Sequence, residues 1–229
     1  FEQRTGYHLR PSALGTGAAL AIGARGDADV VFVHAVDEEQ RFMAAGNGDR
    51  RLLVMHNDFV IVGPASDPAH LRGKDAFTAF RTIAETRSTF ISRGDNSGTN
   101  IFELALWKKA NITPAGAWYV QAGTGMGQTL QIASEKRGYT LADRGTFLVR
   151  RAGLELAIVV ERDPPLLNPY HVITVSPKKF PGVNAAGASA FADYLVSPET
   201  QRLIAAFGKD KYGEGLFFPD AGKDDRDLN

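Results

Sequence analysis

From Val30 to Phe207 the sequence alternates between short apolar runs of strand length and longer stretches with helical spacing. This alternation confines the chain to an α/β fold, because each strand needs a helix to cover its face and carry the chain back. Val30-Val31-Phe32-Val33, Phe59-Val60-Ile61-Val62, Thr89-Phe90-Ile91-Ser92, Trp118-Tyr119-Val120, Thr146 to Val149, Leu156 to Val160 and Tyr170 to Val175 read as strands. Asp37 to Ala45 reads as a helix stopped by Gly46, and Asp75 to Thr86 as one with Phe77, Phe80 and Ala84 at helical spacing. Ser97 opens a helix holding Ile101, Leu104 and Ala105. Met126, Leu130 and Ala133 mark another by their i, i+4, i+7 spacing. Ala188 to Leu195 is helical, and Ser197-Pro198 reads as an N-cap followed by proline at the first helical position. The alternation predicts a largely parallel sheet, and the polar tail after Asp220 is expected to be loose.

At 229 residues the chain can form one large domain or two lobes of roughly 100 residues each. Twenty-six basic residues balance 26 acidic ones, with no long basic run, so the footprint of a nucleic-acid binder is missing. There is no cysteine, which excludes disulfides and thiolate metal sites and suits a periplasmic protein. The apolar run from Ala28 to Ala35 is interrupted by Asp29 and is far too short to span a bilayer. The opening Phe1-Glu2-Gln3-Arg4-Thr5-Gly6 reads as the end of a helix capped by Gly6. A leader and at least one strand are therefore expected to precede Phe1.

Three Gly-rich segments sit where a strand or loop hands over to a helix: Leu14-Gly15-Thr16-Gly17, Ser92 to Thr99, and Gly123-Thr124-Gly125-Met126-Gly127. Helix starts leave amide N–H groups unpaired and carry the positive end of the helix dipole. Glycine allows a close approach of backbone to ligand, serine and threonine add hydroxyl donors, and the result is an anion site. Arg93 adds a forked, permanently charged donor that suits a tetrahedral oxyanion. Each turn also has a plain structural reading: Ser97 as an N-cap, Arg93 paired with Asp95.

Other chemistries lack their signatures. Gly123 to Gly127 does not have dinucleotide spacing, and no phosphate-loop Gly-Lys-Ser/Thr or nucleophile elbow occurs. The five histidines, His8, His34, His56, His70 and His171, show no metal-ligand spacing, so no metal site is predicted. His34 follows the strand Val30–Val33, where open α/β sheets bind ligands, and is also readable as a rim histidine. The two Arg-Gly-Asp tripeptides, at 25–27 and 93–95, read as turns. Asp58, Asp143 and Arg144 read as structural turn or surface residues.

Several stretches together resemble a known family. Asn57-Asp58-Phe59-Val60-Ile61-Val62-Gly63-Pro64, Phe90-Ile91-Ser92-Arg93-Gly94-Asp95-Asn96-Ser97-Gly98-Thr99 and Glu103-Leu104-Ala105-Leu106-Trp107 resemble the tungstate-binding subunits of bacterial ABC importers. So do Gly125-Met126-Gly127, Tyr139 to Thr146 and Leu216-Phe217-Phe218-Pro219-Asp220-Ala221, in the same order. The resemblance implies a type II periplasmic-binding-protein fold, with two α/β lobes, two crossing strands and a ligand cleft between the lobes. Lobe one would hold residues 1–85 and 172–229, and lobe two 86–171. The family's Thr-Thr-Thr-Ser segment, which follows its first strand, does not occur here and is expected before Phe1; Asn100 stands where relatives carry histidine.

The resemblance also implies the site. Arg93 would be the charge partner, Ser97 and Thr99 hydroxyl donors, and Gly98 and Thr99 backbone donors. Thr124, Gly125, Met126 and Gly127 would line the opposing helix start, with Thr16 and His34 as outer contacts. The ligand would be tungstate or molybdate, with no cofactor and no catalytic residue. The partner would be the membrane permease of an ABC transporter, with the receptor a monomer at a periplasmic or extracellular location, free or lipid-tethered. Three rivals stay open: a receptor for molybdate, phosphate or sulfate, an enzyme on the same scaffold using His34, and a sensor domain.

Overall fold

The computed structural model describes residues 1–228, which divide into two compact units, and the chain passes between them at 56/57 and 167/168. Unit 1 holds Phe1–His56 and Asn168–Leu228, and unit 2 holds Asn57–Leu167. Residues 57–85, expected in lobe one, belong to unit 2, as do 168–171 to unit 1. The reason is the core: Phe80 and Ile83 are fully buried in one cluster with Phe59, Ile61, Phe90, Trp107, Tyr139 and Leu141.

In unit 1, α1 (Glu2–Thr5) ends on Gly6, whose φ of 75° lets its amide bond back to the Glu2 carbonyl. α2 (Thr16–Gly23) leads to β1 (Val30–Val33), then α3 (Val36–Ala44) and the first half of β2 (Gly48–Pro64). After unit 2 the chain returns through β7 (Leu167–Val175), α8 (Ala185–Leu195), α9 (Pro198–Ala206), α10 (Lys209–Tyr212) and β8 (Phe218–Pro219). β7 lies between β1 and β2 and pairs antiparallel with β1, with Val31 opposite Ile173. β8 pairs antiparallel with β2 at Met55 and His56. Leu20, Val31, Val33, Phe42, Ile173 and Val175 form the core beneath α2 and α3.

In unit 2, α4 (Ala76–Thr86) precedes β3 (Phe90–Ser92), α5 (Gly98–Lys109), β4 (Tyr119–Gln121), α6 (Met126–Glu135), β5 (Thr140–Asp143), α7 (Arg144–Arg150) and β6 (Leu156–Val160). β3 and β4 are parallel, and β3 meets the start of β5 in parallel at Phe90 and Tyr139. The second half of β2 runs antiparallel between β5 and β6. The largely parallel sheet expected from the alternation is thus corrected. The β3-α5-β4-α6-β5 stretch obeys the crossover logic, but β2 enters from unit 1 in the opposite direction. Its residues Asp58 to Pro64 are all buried, as a strand flanked on both sides requires. Within it Gly63 faces the Tyr139 ring, which a β-carbon would penetrate. Gly63→Ala is expected to destabilise the protein by about 1–3 kcal/mol through overpacking, measured by thermal unfolding.

Three further expectations are corrected. Thr146 to Val149 is not a strand but part of α7, because Asp143 caps the helix by accepting from the Thr146 amide at 2.7 Å. Arg144 and Asp58 are not surface residues: Arg144 is 2% and Asp58 3% exposed, and they form a forked ion pair. The tail after Asp220 is docked, since Asp225 accepts from His171 Nε2 at 2.7 Å and from Arg51 at 2.9 Å, and Leu228 is buried. Asn229 lies outside the described residues.

Candidate anion-binding site

Two helix starts stand side by side in unit 2. β3 and β4 are parallel neighbours, so their C-terminal ends open on the same edge, where α/β sheets place ligands. The loops that follow are tied together: the Ala122 amide donates to the Ser92 carbonyl at 2.8 Å, and the Gly123 amide to the Arg93 carbonyl at 2.7 Å. The Arg93 loop feeds α5 and the Gly123 loop feeds α6. The structure therefore brings Arg93, Ser97, Gly98 and Thr99 together with Thr124, Gly125, Met126 and Gly127.

The donors at these starts are open. Ser97 is the N-cap of α5, and its hydroxyl accepts from the Asn100 amide at 3.3 Å, satisfying the third turn position. The amides of Gly98 and Thr99, and the Thr99 hydroxyl, have no partner among the described residues. α6 starts on Gly125, which offers no side-chain cap, so the amides of Met126 and Gly127 are likewise open. The Thr124 hydroxyl makes only long contacts, 3.4 Å to Thr129 Oγ1 and 3.5 Å to the Gly125 carbonyl. Unpaired helix-start amides gather partial positive charge.

Arg93 is engaged. Its Nη2 and Nε donate to Asp95 Oδ2 at 2.5 and 3.2 Å, and Asp95 Oδ1 accepts from the Ser97 amide at 3.2 Å. Burial works to raise the Asp95 carboxyl, but the Ser97 and Arg93 hydrogen bonds outweigh it and hold it below the usual carboxylate range. The turn that allows this needs glycine: Gly94 has φ 61°, and a β-carbon there would come within 2.9 Å of Gln121 Cβ. The other Arg-Gly-Asp repeats the device, with Gly26 at φ 75° and Arg25 Nε 2.7 Å from Asp27. Both tripeptides are turns, as their sequence setting predicts.

Thr16 and His34 meet in unit 1. Thr16 opens α2 behind Gly15, which provides no side-chain cap, and the His34 amide lies 3.5 Å from Thr16 Oγ1. The His34 ring stacks on Tyr170 at 4.7 Å, and its Nδ1 is 3.1 Å from Asn168 Oδ1. The ring's partners are thus an amide and an aromatic.

Sequence reasoning missed two features of the unit 2 site. The Arg150 guanidinium lies against the first turn of α6, 3.2 Å from where a Gly127 β-carbon would stand. Arg150 was hidden because α7 was read as a strand. Beneath the Arg93 loop sits Glu103, 2% exposed, accepting from Ser92 Oγ at 2.7 Å, Tyr119 Oη at 2.8 Å and Trp107 Nε1 at 3.0 Å. The apolar residues that mark α5 in the sequence, Ile101, Leu104 and Ala105, are exposed, and Asn100, Glu103, Leu106 and Trp107 face inward. The helix is turned this way because Glu103 closes a polar network against β3 and β4.

Two parallel-strand ends presenting open helix starts, in one unit of a two-unit α/β chain, define a ligand receptor of the periplasmic-binding-protein class. The family model described as the PBP superfamily domain matches residues 1–199. The chain belongs to that superfamily and, within it, to the family of TupA tungstate-binding proteins. It is 49% identical over 226 residues to the tungstate-binding protein TupA of Peptoclostridium acidaminophilum, covering 97% of this chain and 79% of that protein. The solved tungstate-binding protein TupA of Desulfovibrio alaskensis is 43% identical, with a TM-score of 0.88 over 96% of this chain and 90% of its own. A structure described as the tungstate ABC transporter from Geobacter sulfurreducens is 46% identical, with a TM-score of 0.72 over 90% and 88% of the two chains.

Proposed function

We propose that this chain is the solute receptor of an ABC importer, that it binds tungstate without chemical change, and that it delivers it to the membrane permease. The observation that carries the proposal is the pair of open helix starts, α5 and α6, tied together through Ser92–Ala122 and Arg93–Gly123. A tetrahedral dianion stripped of water needs nearly complete donor coverage, because an unsatisfied buried charge costs many kcal/mol. The amides of Gly98, Thr99, Met126 and Gly127 and the hydroxyls of Ser97, Thr99 and Thr124 provide donors of the right kind. Each hydrogen bond to the charged ligand is worth about 1.5–3 kcal/mol.

The charge balance shapes the mechanism. Arg93 is held by Asp95, so the pair adds little net charge, and what it adds is a rigid fork of N–H donors. Helix-start amides then carry much of the anion's charge, with Arg150 close by at Gly127. Thr16 and the open start of α2 give unit 1 donors of the same kind. On this reading a cavity sized for tungstate would discriminate against the smaller sulfate. The relatives are named as binding proteins, which favours a receptor over an enzyme, and the permease partnership and a periplasmic or extracellular site follow from the same reading. Among the described residues no helix is long and apolar enough to cross a membrane.

Calorimetric titration of the full-length protein with tungstate, molybdate, sulfate and phosphate tests this. Tungstate is expected to bind tightly, and Arg93→Ala to weaken it tenfold or more. An absence of binding by all four anions would overturn the proposal.

A further inference from the structure

Glu103 is an acid buried directly under a loop that, on the reading above, binds an anion. Electrostatics alone would remove a negative charge from that place. Its hydrogen-bond partners, Ser92 Oγ, Tyr119 Oη, Trp107 Nε1 and the Asn100 side chain, are neutral, and among the described residues no cation pairs with it. Tyr119, on β4, is the titratable side chain in contact with it; Arg93 and Asp95, in the loop after β3, pair with each other. Burial pushes the Glu103 carboxyl up, against the pull of these hydrogen bonds.

The network continues upward. Ser92 Oγ, which donates to Glu103, accepts from Asn100 Nδ2 at 3.2 Å. Asn100 Oδ1 accepts from the Asn96 amide at 3.1 Å. Asn96 sits in the left-handed region at φ 57°, a conformation uncommon for non-glycine residues and most accessible to asparagine. It is also the residue before the Ser97 cap, so its conformation aims the amides of Gly98 and Thr99. The relay has a polarity. A carboxylate can only accept, which fixes the Ser92 hydroxyl as donor downward, which leaves its lone pairs for the Asn100 amide and turns the Asn100 oxygen toward Asn96.

We propose that Glu103 is the positioning residue of the anion-binding loop, acting through Ser92 and Asn100 to fix the backbone at Asn96 and so aim the Gly98 and Thr99 amides. The inference rests on the receptor reading, and wild-type binding separates the two: if wild type binds no oxyanion, the receptor reading fails first.

Glu103→Gln tests the relay with almost no change of shape. A glutamine can accept from Tyr119 and Trp107 at its oxygen, but its NH₂ must then donate to Ser92, which turns the Ser92 O–H away from position 103 and ends the fixed polarity of the relay. Tungstate affinity is expected to fall tenfold or more. The Asn96 amide is expected to lose at least tenfold of its hydrogen-exchange protection, while the amides of Leu106 and Trp107 in α5 keep theirs. A merely structural role would lower protection along the whole of α5. Unchanged affinity with unchanged Asn96 exchange, or a uniform loss along the helix, would overturn the proposal. Should Glu103→Gln fail to fold, Ser92→Ala cuts the relay one step later and is read by the same two measurements, with the same outcomes deciding.

Discussion

Replacing Arg144 by alanine is expected to destabilise unit 2 by about 3–5 kcal/mol, the largest single-residue effect outside its apolar core. Arg144 opens α7, yet its guanidinium is buried and grips Asp58, with Nε to Oδ1 at 2.7 Å and Nη2 to Oδ2 at 2.6 Å. The same Nη2 reaches Glu161 at 2.7 Å. Burial opposes the charge on Arg144, but its hydrogen bonds to Asp58 and Glu161 outweigh that and push its pKa above the usual arginine range. Alanine would leave the Asp58 carboxylate buried in unit 2 without its fork. Glu161 is 37% exposed and can return to water, so the penalty falls on Asp58. Both tryptophans, Trp107 and Trp118, lie in unit 2, so their fluorescence during urea unfolding follows this unit. The double variant Asp58→Ala/Arg144→Ala is expected to recover a substantial part of the loss, because no unpaired charge remains. A loss below about 1 kcal/mol for Arg144→Ala, the range of an exposed pair, would show that Asp58 is solvated in solution.

The same ion pair shows why parts of the fold were not legible in the sequence. Apolar runs such as Phe59–Val62 and the spaced Met126, Leu130 and Ala133 announce their burial directly, and the structure buries them. The first half of β2 does not read as a strand in the sequence, because its short apolar run Leu52–Met55 is flanked by Arg50, Arg51 and His56. Their partners come from far along the chain: Asp193 and Ser189 for Arg50, Glu39 and Asp225 for Arg51, Asp220 for His56. A short apolar run between charged residues is not legible as a strand until the fold supplies the partners of those charges. In α5 the helix was legible but its inward face was not, since it buries Glu103 and Asn100 to complete a network that only the β3–β4 pairing reveals. The unit boundary was misplaced for a related reason: one 17-residue strand serves both units, and nothing in its local pattern marks His56 as the crossing.

The grouping of the candidate residues was more legible than the fold around them. Glycine, serine and threonine at a helix start carry a local meaning, and all eight unit 2 candidates lie on the two adjoining starts. The pairing of Arg93 with Asp95 and the Ser97 cap were both legible as the plain structural reading of that turn, and the structure shows both. What spacing could not convey was the presence of Arg150 beside Gly127, which depends on how the chain turns and not on which residues it holds.

Replacing Gly98 by proline is expected to weaken tungstate binding about tenfold to a hundredfold while leaving the protein as stable as before. Gly98 is the first residue of α5, where proline is well tolerated because the amide it deletes has no helical partner. Ser97 has φ −70° and ψ 167°, the extended conformation a residue before proline prefers. A β-carbon on Gly98 would meet nothing within 4 Å. Proline there restricts the unfolded chain, so the melting temperature should hold or rise slightly. The one thing removed is a backbone donor. A hydrogen bond to a charged ligand is worth about 1.5–3 kcal/mol, which sets the expected loss. Gly98→Ala is the control: it adds bulk at the same position but keeps the N–H, and is expected to bind within about threefold of wild type. Wild-type affinity in both the proline and the alanine variants would mean that the Gly98 amide donates to no ligand. Equally weak binding by both would mean that bulk at the helix start, and not the donor, sets affinity. Only a gap between them assigns the binding energy to the backbone N–H of Gly98.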